Sequence, residues 1–270
     1  MGTRLLIRAI AGILLFGCLT GCGTGAARPT STEESAFATG EDPRYLVLIN
    51  KKHAVSESYD PANTVYVLEP AEAIAQEWVS PRKNGMELKL EGKTCRALDA
   101  MFRAMREDGV TDVYVTSAYR DARTQQSLFA TYCQNELNHI SQDAIYCLGE
   151  EYIRENYYAK GLLGLTPEDA ETVASFYSAP AGYSEHQTGL CVDLITSEMK
   201  QLTQEFERSA AFAWLKENAH RFGFILRYPK DKETVTGYAY EPWHYRFVGA
   251  ETAARIHASG VTLEEYLGRE

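Results

Sequence analysis

Apolar and polar positions along the first half of the chain predict a strand, a helix and a second strand. The run YLVLIN from Tyr45 is short and apolar, which is typical of a strand. From Thr94 to Asp108 large apolar side chains recur every three or four residues, and Gly109 is a typical helix end. The stretch TDVYVTSAYR alternates in the manner of a strand, and Asp121 is a suitable cap for the helix that follows.

The second half of the chain predicts further elements of both kinds. The segment at about 131–179 is rich in Glu, Asn and Tyr and is predicted to be partly helical. GLCVDLI predicts a core strand, a helix is expected from Ser209 to Gly223, and GFILRYP and GYAYEPWHYRFVG predict two more strands. Thr262 and Glu265 fit a capping box at a last helix. Because strands and helices are mixed without a βαβ rhythm, the predicted class is α+β.

The N-terminal end has the features of a secretory signal. Arg4 and Arg8 accompany an apolar stretch that is too short to span a bilayer. The stretch ends in LTGC at Cys22, which resembles a bacterial lipobox, whose cysteine is lipidated and becomes the mature N-terminus. We therefore expect a lipoprotein signal peptide at residues 1–21. Cys18 is a weaker candidate for lipidation, and an ordinary signal peptide that contains a cysteine is the alternative reading.

The rest of the chain divides into a tether and one domain. Residues 22–43 contain few large apolar side chains, so they cannot bury enough surface to order themselves and are expected to form a flexible tether. Residues 44–270 show no repeat and no second boundary, and the 45% hydrophobic content of the chain is enough for a packed core. These features predict an extracytoplasmic domain that is lipid-anchored to the cell membrane.

The charge of the chain limits its partners. The 27 Lys and Arg residues are outnumbered by 37 Asp and Glu residues, and the formal net charge of −10 gives no basic surface for nucleic acid. A neutral or cationic substrate remains open. No feature of the sequence predicts a protein partner.

Four cysteines follow the predicted anchor. Cys133 and Cys147 flank a short polar segment, and outside the cytoplasm a disulfide between them is possible. Cys95 and Cys191 lie in apolar surroundings and are expected to be small buried side chains. A four-thiolate zinc site is not expected, since no C-x-x-C spacing occurs.

Two short motifs contain the side chains that a catalytic zinc site needs. His186 lies seven residues before Asp193 in SEHQTGLCVDL, with a glycine turn between them that allows both to reach one ion. Glu241 lies three residues before His244 in EPWHYR. Two imidazoles and one carboxylate provide three zinc ligands and leave one position for water. Glu241 is then the natural general base.

Arg120, at the end of a predicted strand, has a forked donor suited to a carboxylate or an oxyanion. Each motif alone is weak evidence, because H-x6-D and E-x-x-H also occur in proteins without metal. A lone histidine before a glycine turn is more often a surface or capping residue. The spacing by itself therefore leaves a structural role open.

Four longer motifs occur in one order and carry a resemblance to a known family. SAYRDARTQQSLF, GYSEHQTGLCVDL, GFILRYP and GYAYEPWHYRFVG resemble the zinc D-alanyl-D-alanine carboxypeptidases of the VanY type. The resemblance implies a small, mostly antiparallel sheet flanked by helices, as in Hedgehog and D,D-peptidase domains, and one Zn²⁺ per chain. It implies these roles: zinc ligands His186, Asp193 and His244; catalytic residues Glu241 and Arg120; and peptide-binding residues Gln125, Ser184 and Tyr240.

By the same resemblance, the substrate is a peptidoglycan stem peptide, from which the terminal D-alanine is removed. Three alternatives stay open: an L,D-carboxypeptidase that acts on tetrapeptide stems, an endopeptidase, and a non-catalytic wall-binding module that contains zinc. Two departures from the family pattern stand out. Cys191 replaces a small residue two positions before a predicted ligand, and the segment 131–179 is expanded just before the site.

Overall fold

The computed structural model of the protein describes most of the predicted domain. The described residues are 42–55, 69–83, 85–199 and 201–269. The predicted signal peptide 1–21, Cys22 and nearly all of the tether 22–43 lie outside these residues. Among the described helices, none is long and apolar enough to cross a bilayer.

Helices and strands are mixed along the chain, as expected for the α+β class. The strands are β1 Glu72–Ala73, β2 Lys89–Leu90, β3 Tyr114–Ser117, β4 Cys191–Ile195, β5 Phe224–Leu226 and β6 His244–Phe247. The helices are α1 Gly92–Glu107, α2 Ala122–Asn138, α3 Gln142–Leu148, α4 Glu150–Asn156, α5 Pro167–Tyr177, α6 Ala210–Asn218, α7 Glu233–Thr236, α8 Ala250–Ser259 and α9 Leu263–Leu267.

A four-stranded antiparallel sheet holds the centre of the domain. Its strand order is β3-β4-β6-β5, and β1 pairs with β2 in a separate two-stranded sheet. In the register of the central strands, Asp193 lies opposite His244 and Cys191 opposite Arg246. Successive side chains of a strand point to opposite faces, so these four residues share one face of the sheet.

The other face of the sheet packs on α1. Val192 and Leu194 of β4 and Tyr245 of β6 are buried in one cluster with the apolar face of α1, which consists of Leu98, Met101, Phe102 and Met105. Each of these side chains contributes about 1.5–3 kcal/mol by leaving water. The helical spacing that predicted α1 therefore also identified the face that anchors the sheet.

Most of the predicted elements are confirmed. The strands at β3, β4 and β5, the Asp121 cap of α2 and the capping box of Thr262 and Glu265 at α9 are present. The helix that follows Ser209 is α6, and it continues as a 3-10 turn that ends at Gly223.

Two strand predictions are corrected. The run from Tyr45 is not a strand: Pro43–Leu46 is a 3-10 helix, because Asp42 caps it and Pro43 favours a helical start. Tyr45 and Leu46 are both buried, but they do not pair with a neighbouring strand. In GYAYEPWHYRFVG the strand is confined to His244–Phe247, since Pro242 has no N–H to donate and a turn precedes β6.

The segment 131–179 is helical and has a small core of its own. It comprises the end of α2 and helices α3, α4 and α5, which pack around the side chains Ile140, Ala144, Ile153, Tyr157, Leu165, Ala170 and Val173. Gly164 lies so close to α2 that a Cβ atom there would overlap the carbonyl of Leu137. The segment is therefore a packed unit beside the sheet.

The predicted disulfide between Cys133 and Cys147 is absent, and both thiols are free. The reason is that the segment between them is not a closed loop. Cys133 lies within α2, whereas Cys147 lies within α3, a new helix whose cap is Ser141. Cys147 packs against the helical core of this segment, and burial raises the pKa of its thiol to about 12.

Candidate active site

One cleft of about 960 Å³ brings the predicted chemistry together. Its walls come from the end of β3, from β4 and β6, from the turn before β6 and from the segment 131–179. Arg120, His186, Asp193, Glu241 and His244 all line it. Residues that are up to 124 positions apart in the chain thus face one space.

His186 is placed by a short 3-10 helix, Glu185–Thr188, that precedes β4. Gly189 ends this helix in the left-handed conformation, with φ of 69°, and so turns the chain back into β4. The Nδ1 atom of His186 lies 2.6 Å from the carbonyl oxygen of Ala118. This contact leaves Nε2 to face Asp193, whose Oδ2 is 3.2 Å away.

His244 reaches Asp193 through the pairing of β4 with β6. Its Nδ1 lies 3.0 Å from Oδ1 of Asp193, and its Nε2 lies 3.5 Å from Oε2 of Glu185. Each histidine therefore directs one ring nitrogen at Asp193. The other nitrogen faces an oxygen of Ala118 or of Glu185. Oxygen partners of this kind fix the orientation of metal-binding imidazoles.

Glu185 belongs to a buried charge network that the sequence analysis did not identify. Its Oε1 accepts hydrogen bonds from Arg227 at 2.8 Å and from Arg246 at 2.6 Å, and Arg227 also binds Glu264. These two carboxylates and two guanidinium groups are fully buried. The group is neutral as a whole, which limits the cost of desolvation. It supports Glu185, and through Glu185 the ring of His244.

Burial raises the pKa of Glu185, but the two arginines lower it by more, so the net shift is downward. The group therefore stays a carboxylate. A clue to this network exists in the sequence: Glu185 adjoins a predicted ligand, and Arg246 lies two residues after another, on the same face of β6.

The donor atoms of this site fit zinc. In a tetrahedral site with bonds of about 2.0–2.1 Å, neighbouring donors lie about 3.3–3.4 Å apart. The two nitrogen–oxygen distances around Asp193, 3.0 and 3.2 Å, are close to that spacing. Two imidazoles and one carboxylate form a ligand set that zinc prefers in catalytic sites.

The residues of the site carry opposite charges. Burial and Arg120 lower the pKa of His186, but Asp193 raises it by more, to about 9. Burial raises the pKa of Asp193, but the charges and hydrogen bonds of His186 and His244 bring it well below its usual range. Only a neutral imidazole is a zinc ligand, so protons compete with the metal for these histidines.

Glu241 lies at the turn that leads into β6. Its main-chain N–H donates to the carbonyl of Tyr228 at 3.1 Å, and its Oε2 lies 3.7 Å from Nδ1 of His244. Burial raises the pKa of this carboxyl to about 8, against the opposing effect of His244. A group with a pKa near neutrality can both accept and return a proton.

Arg120 follows β3 and is tied to the site by its main chain, whose N–H donates to the carbonyl of His186 at 3.1 Å. Its side chain lines the cleft and is half-buried. The Nε atom has no hydrogen-bond partner among the described residues. A guanidinium group without a protein partner at a cleft wall is available to an anionic group of a ligand.

The comparison with known proteins decides the family. The family described as "VanY: D-alanyl-D-alanine carboxypeptidase" matches residues 87–250. The chain is a member of the VanY family. A D-alanyl-D-alanine carboxypeptidase of Enterococcus faecalis (strain ATCC 700802 / V583) is 34% identical over 256 residues, which cover 93% of this chain and 77% of the relative.

Solved structures agree with this assignment. A VanY D,D-pentapeptidase variant from a VanB-type resistance cassette, in complex with Zn(II), is 32% identical with a TM-score of 0.56 and covers 83% of this chain and 98% of its own. The LD-carboxypeptidase LdcB is 29% identical with a TM-score of 0.58 and covers 83% of this chain and 86% of its own. The predicted fold class and the predicted class of enzyme, a zinc carboxypeptidase, are thereby confirmed.

The three predicted peptide-binding residues of this VanY protein occupy different places. Ser184 and Tyr240 line the cleft, and the Tyr240 hydroxyl donates to Glu207 at 3.1 Å. Gln125 is not on the cleft wall of the described structure. It is fully buried and donates to the carbonyl of Ala179 at 2.6 Å. The expected peptide contact of Gln125 is therefore replaced by a role in holding the chain between α5 and the site.

The burial predicted for Cys191 is confirmed, but its neighbours include polar groups of the site. Cys191 is fully buried, but it shares a face of β4 with Asp193. One ligand atom each from His186, Cys191 and His244 lie within 4.8 Å of one another. Burial raises the pKa of the thiol, but the two histidines lower it by more, to about 7. The VanY site thus contains two candidates for the third ligand, Asp193 and Cys191.

Cys95 lies on α1 and is buried in the apolar core, as expected. Asp193 is the third ligand that the family resemblance implies, and its two oxygens contact one histidine each, at 3.0 and 3.2 Å. For the cysteine only the wider bound of 4.8 Å applies.

Proposed function

We propose that the protein is a zinc-dependent D-alanyl-D-alanine carboxypeptidase that removes the terminal D-alanine from peptidoglycan stem peptides. One zinc ion per chain would be held by His186, Asp193 and His244. The observation that carries the proposal is the convergence of this ligand set with Glu241 and Arg120 on one cleft. Family membership supports the reaction, and a VanY-family structure in complex with D-alanine-D-alanine supports the substrate class.

The residues of the cleft have separate roles in the reaction. Zinc, when bound, acts as a Lewis acid towards the scissile carbonyl and makes water more acidic. Glu241 accepts the proton of the attacking water and then delivers it to the amine of the leaving D-alanine, so that no net proton is consumed by the carboxylate. Arg120 binds negative charge, either that of the developing oxyanion or that of the terminal carboxylate.

The closest rival is an L,D-carboxypeptidase that acts on tetrapeptide stems. The similarity to LdcB favours this alternative, because the LdcB chain matches as well as the VanY variant does in TM-score. A non-catalytic wall-binding module is less well supported. A closed structural zinc site needs neither a buried carboxylate such as Glu241 nor an arginine such as Arg120, whose Nε has no partner among the described residues.

A stem-peptide assay tests the proposal. The purified protein is incubated with pentapeptide and tetrapeptide stems, with and without a chelator, and the products are weighed by mass spectrometry. We expect the pentapeptide to lose one alanine, the chelator to stop the reaction, and added zinc to restore it. Release of alanine from the tetrapeptide alone would contradict the D,D assignment. Hydrolysis that persists in the chelator would contradict the zinc mechanism.

We propose in addition that the protein is exported and anchored in the cell membrane by lipidation of Cys22. The lipobox and the tether support this, and the substrate fits it, since stem peptides are found at the outer face of that membrane. We expect the protein to incorporate a labelled fatty acid and Cys22→Ser to lose the label and leave the membrane fraction. Equal labelling of the variant would contradict the assignment to Cys22.

A further inference from the structure

The segment 131–179 contributes an acidic wall to the catalytic cleft. Glu136, on the last turn of α2, and Asp143, at the start of α3, both line the cleft. Neither carboxylate has a role in the proposed reaction. The segment that carries them is the one that the family resemblance predicts to be expanded.

Glu136 is buried without a counter-charge. Its side chain is 97% buried, and one oxygen, Oε1, accepts a hydrogen bond from the Tyr177 hydroxyl at 3.0 Å. The other oxygen, Oε2, has no hydrogen-bond partner in the part of the chain that the structure describes. No basic side chain of the described residues forms an ion pair with this carboxylate. A buried carboxylate with an unsatisfied oxygen is costly unless something outside the protein completes its coordination.

Asp143 lies at the rim of the same wall. Burial raises the pKa of its carboxyl, and the charge of Glu136 raises it further. Two carboxylates that repel each other beside a cleft are stabilised by a ligand of positive charge. The wall thus has the electrostatic character of a site for a cation.

The position of Glu136 relative to the reacting bond follows from α2. Tyr132 lies one turn earlier on this helix and lines the same cleft as Arg120 and Glu241. Residues four apart share one face of a helix and differ by about 6 Å along its axis. Glu136 therefore lies roughly one helical turn beyond the reacting centre.

A side chain of the substrate can span the distance between the reacting centre and Glu136. In an extended peptide the residue before the two D-alanines lies one residue, roughly 3.3–3.4 Å, before the alanine that carries the scissile carbonyl. In a stem peptide that residue is a diamino acid, which carries an ammonium group at the end of a flexible stem. Such a stem can bridge the remaining distance. Its ammonium group has three N–H donors, which can supply the hydrogen bond that the Glu136 carboxylate lacks.

We propose that Glu136, assisted by Asp143, is the subsite that recognises the side-chain ammonium of the diamino acid before the two D-alanines. The inference rests on the proposed carboxypeptidase function and adds the determinant of its peptide specificity. The subsite selects the stem peptide by charge, while the zinc ligands and Glu241 act on the bond itself.

Two pentapeptides that differ only in this residue test the proposal. One contains lysine, and the other contains norleucine, which lacks the ammonium group. We expect kcat/KM of the natural protein to be about 10- to 100-fold higher for the lysine peptide, the effect of one charge-assisted hydrogen-bonded pair. Glu136→Gln should reduce this preference to less than about 3-fold, and the variant should still cleave the norleucine peptide. Asp143→Asn should reduce it partially.

The matched control is Glu150→Gln, in the same segment but exposed, which should keep the full preference. Activity on the norleucine peptide shows in each variant that the fold and the catalytic groups are intact. A preference that survives Glu136→Gln, or a natural protein that cleaves both peptides equally, would overturn the subsite and leave the proposed function standing. If the natural protein cleaves neither peptide, the proposed function fails, and the subsite fails with it.

Discussion

Glu241→Gln is expected to lower kcat for release of the terminal alanine by about 10²- to 10⁴-fold, the range of a general acid–base group. Glutamine has the same shape but cannot accept the proton of the attacking water or deliver one to the leaving amine. Burial gives the natural carboxyl a pKa of about 8, so its environment already suits proton exchange. The measurement is steady-state hydrolysis of a pentapeptide stem.

Zinc content separates a catalytic effect from a structural one. Glu241 faces His244 at 3.7 Å but is not one of the three expected ligands, so Glu241→Gln should retain one zinc per chain. Glu205→Gln provides the matched control, because Glu205 is exposed. This control variant should keep full activity. A Glu241→Gln protein with natural kcat would refute the proposed mechanism.

Asp193→Ala is expected to weaken zinc binding by more than about 100-fold, beyond the 10- to 100-fold that loss of an outer partner typically costs. Asp193 contacts both histidines, and without it the ion would lose one of its three protein ligands and the only negative charge among them. The measurement is competition for zinc against a chromophoric chelator at fixed pH, since protons compete with the metal. Activity should fall in parallel at limiting zinc.

Cys191→Ala is the matched variant, because Cys191 lies two residues earlier on the same face of β4. We expect it to keep zinc affinity within about 3-fold, since the oxygen donors of Asp193 already complete the ligand set. In the cobalt-substituted natural protein, we also expect no thiolate-to-cobalt charge-transfer band. If Cys191→Ala releases the metal, or if the band appears and is lost in this variant, the thiol is the third ligand.

The catalytic residues are easier to find in the sequence than the residues that support them. His186, Asp193, Glu241 and His244 are visible because their motifs are contiguous and resemble those of a known family. Glu185 was overlooked, although it links His244 to the buried arginines. Its partner Arg227 lies 42 positions away, and only the pairing of β5 with β6 brings that arginine beneath the site.

Local patterns determined the secondary structure wherever one face of an element is buried. The period of α1 and the apolar run at β4 are examples, because side-chain spacing on a single element is a property of the sequence alone. The run from Tyr45 shows the limit of this reasoning. A short apolar run becomes a strand only if a neighbour pairs with it, and here Asp42 and Pro43 favour a 3-10 turn instead.

The sequence by itself determined the family, the α+β class and the identities of the candidate ligands and base. The tertiary structure alone decided where the side chains point. It turned Gln125 away from the cleft, turned the Cys191 thiol towards the histidines, and placed Glu136 at the wall. The physical reason is that strand register and helix packing arise from pairings between distant residues, and a shift of one residue in a strand moves every side chain to the other face.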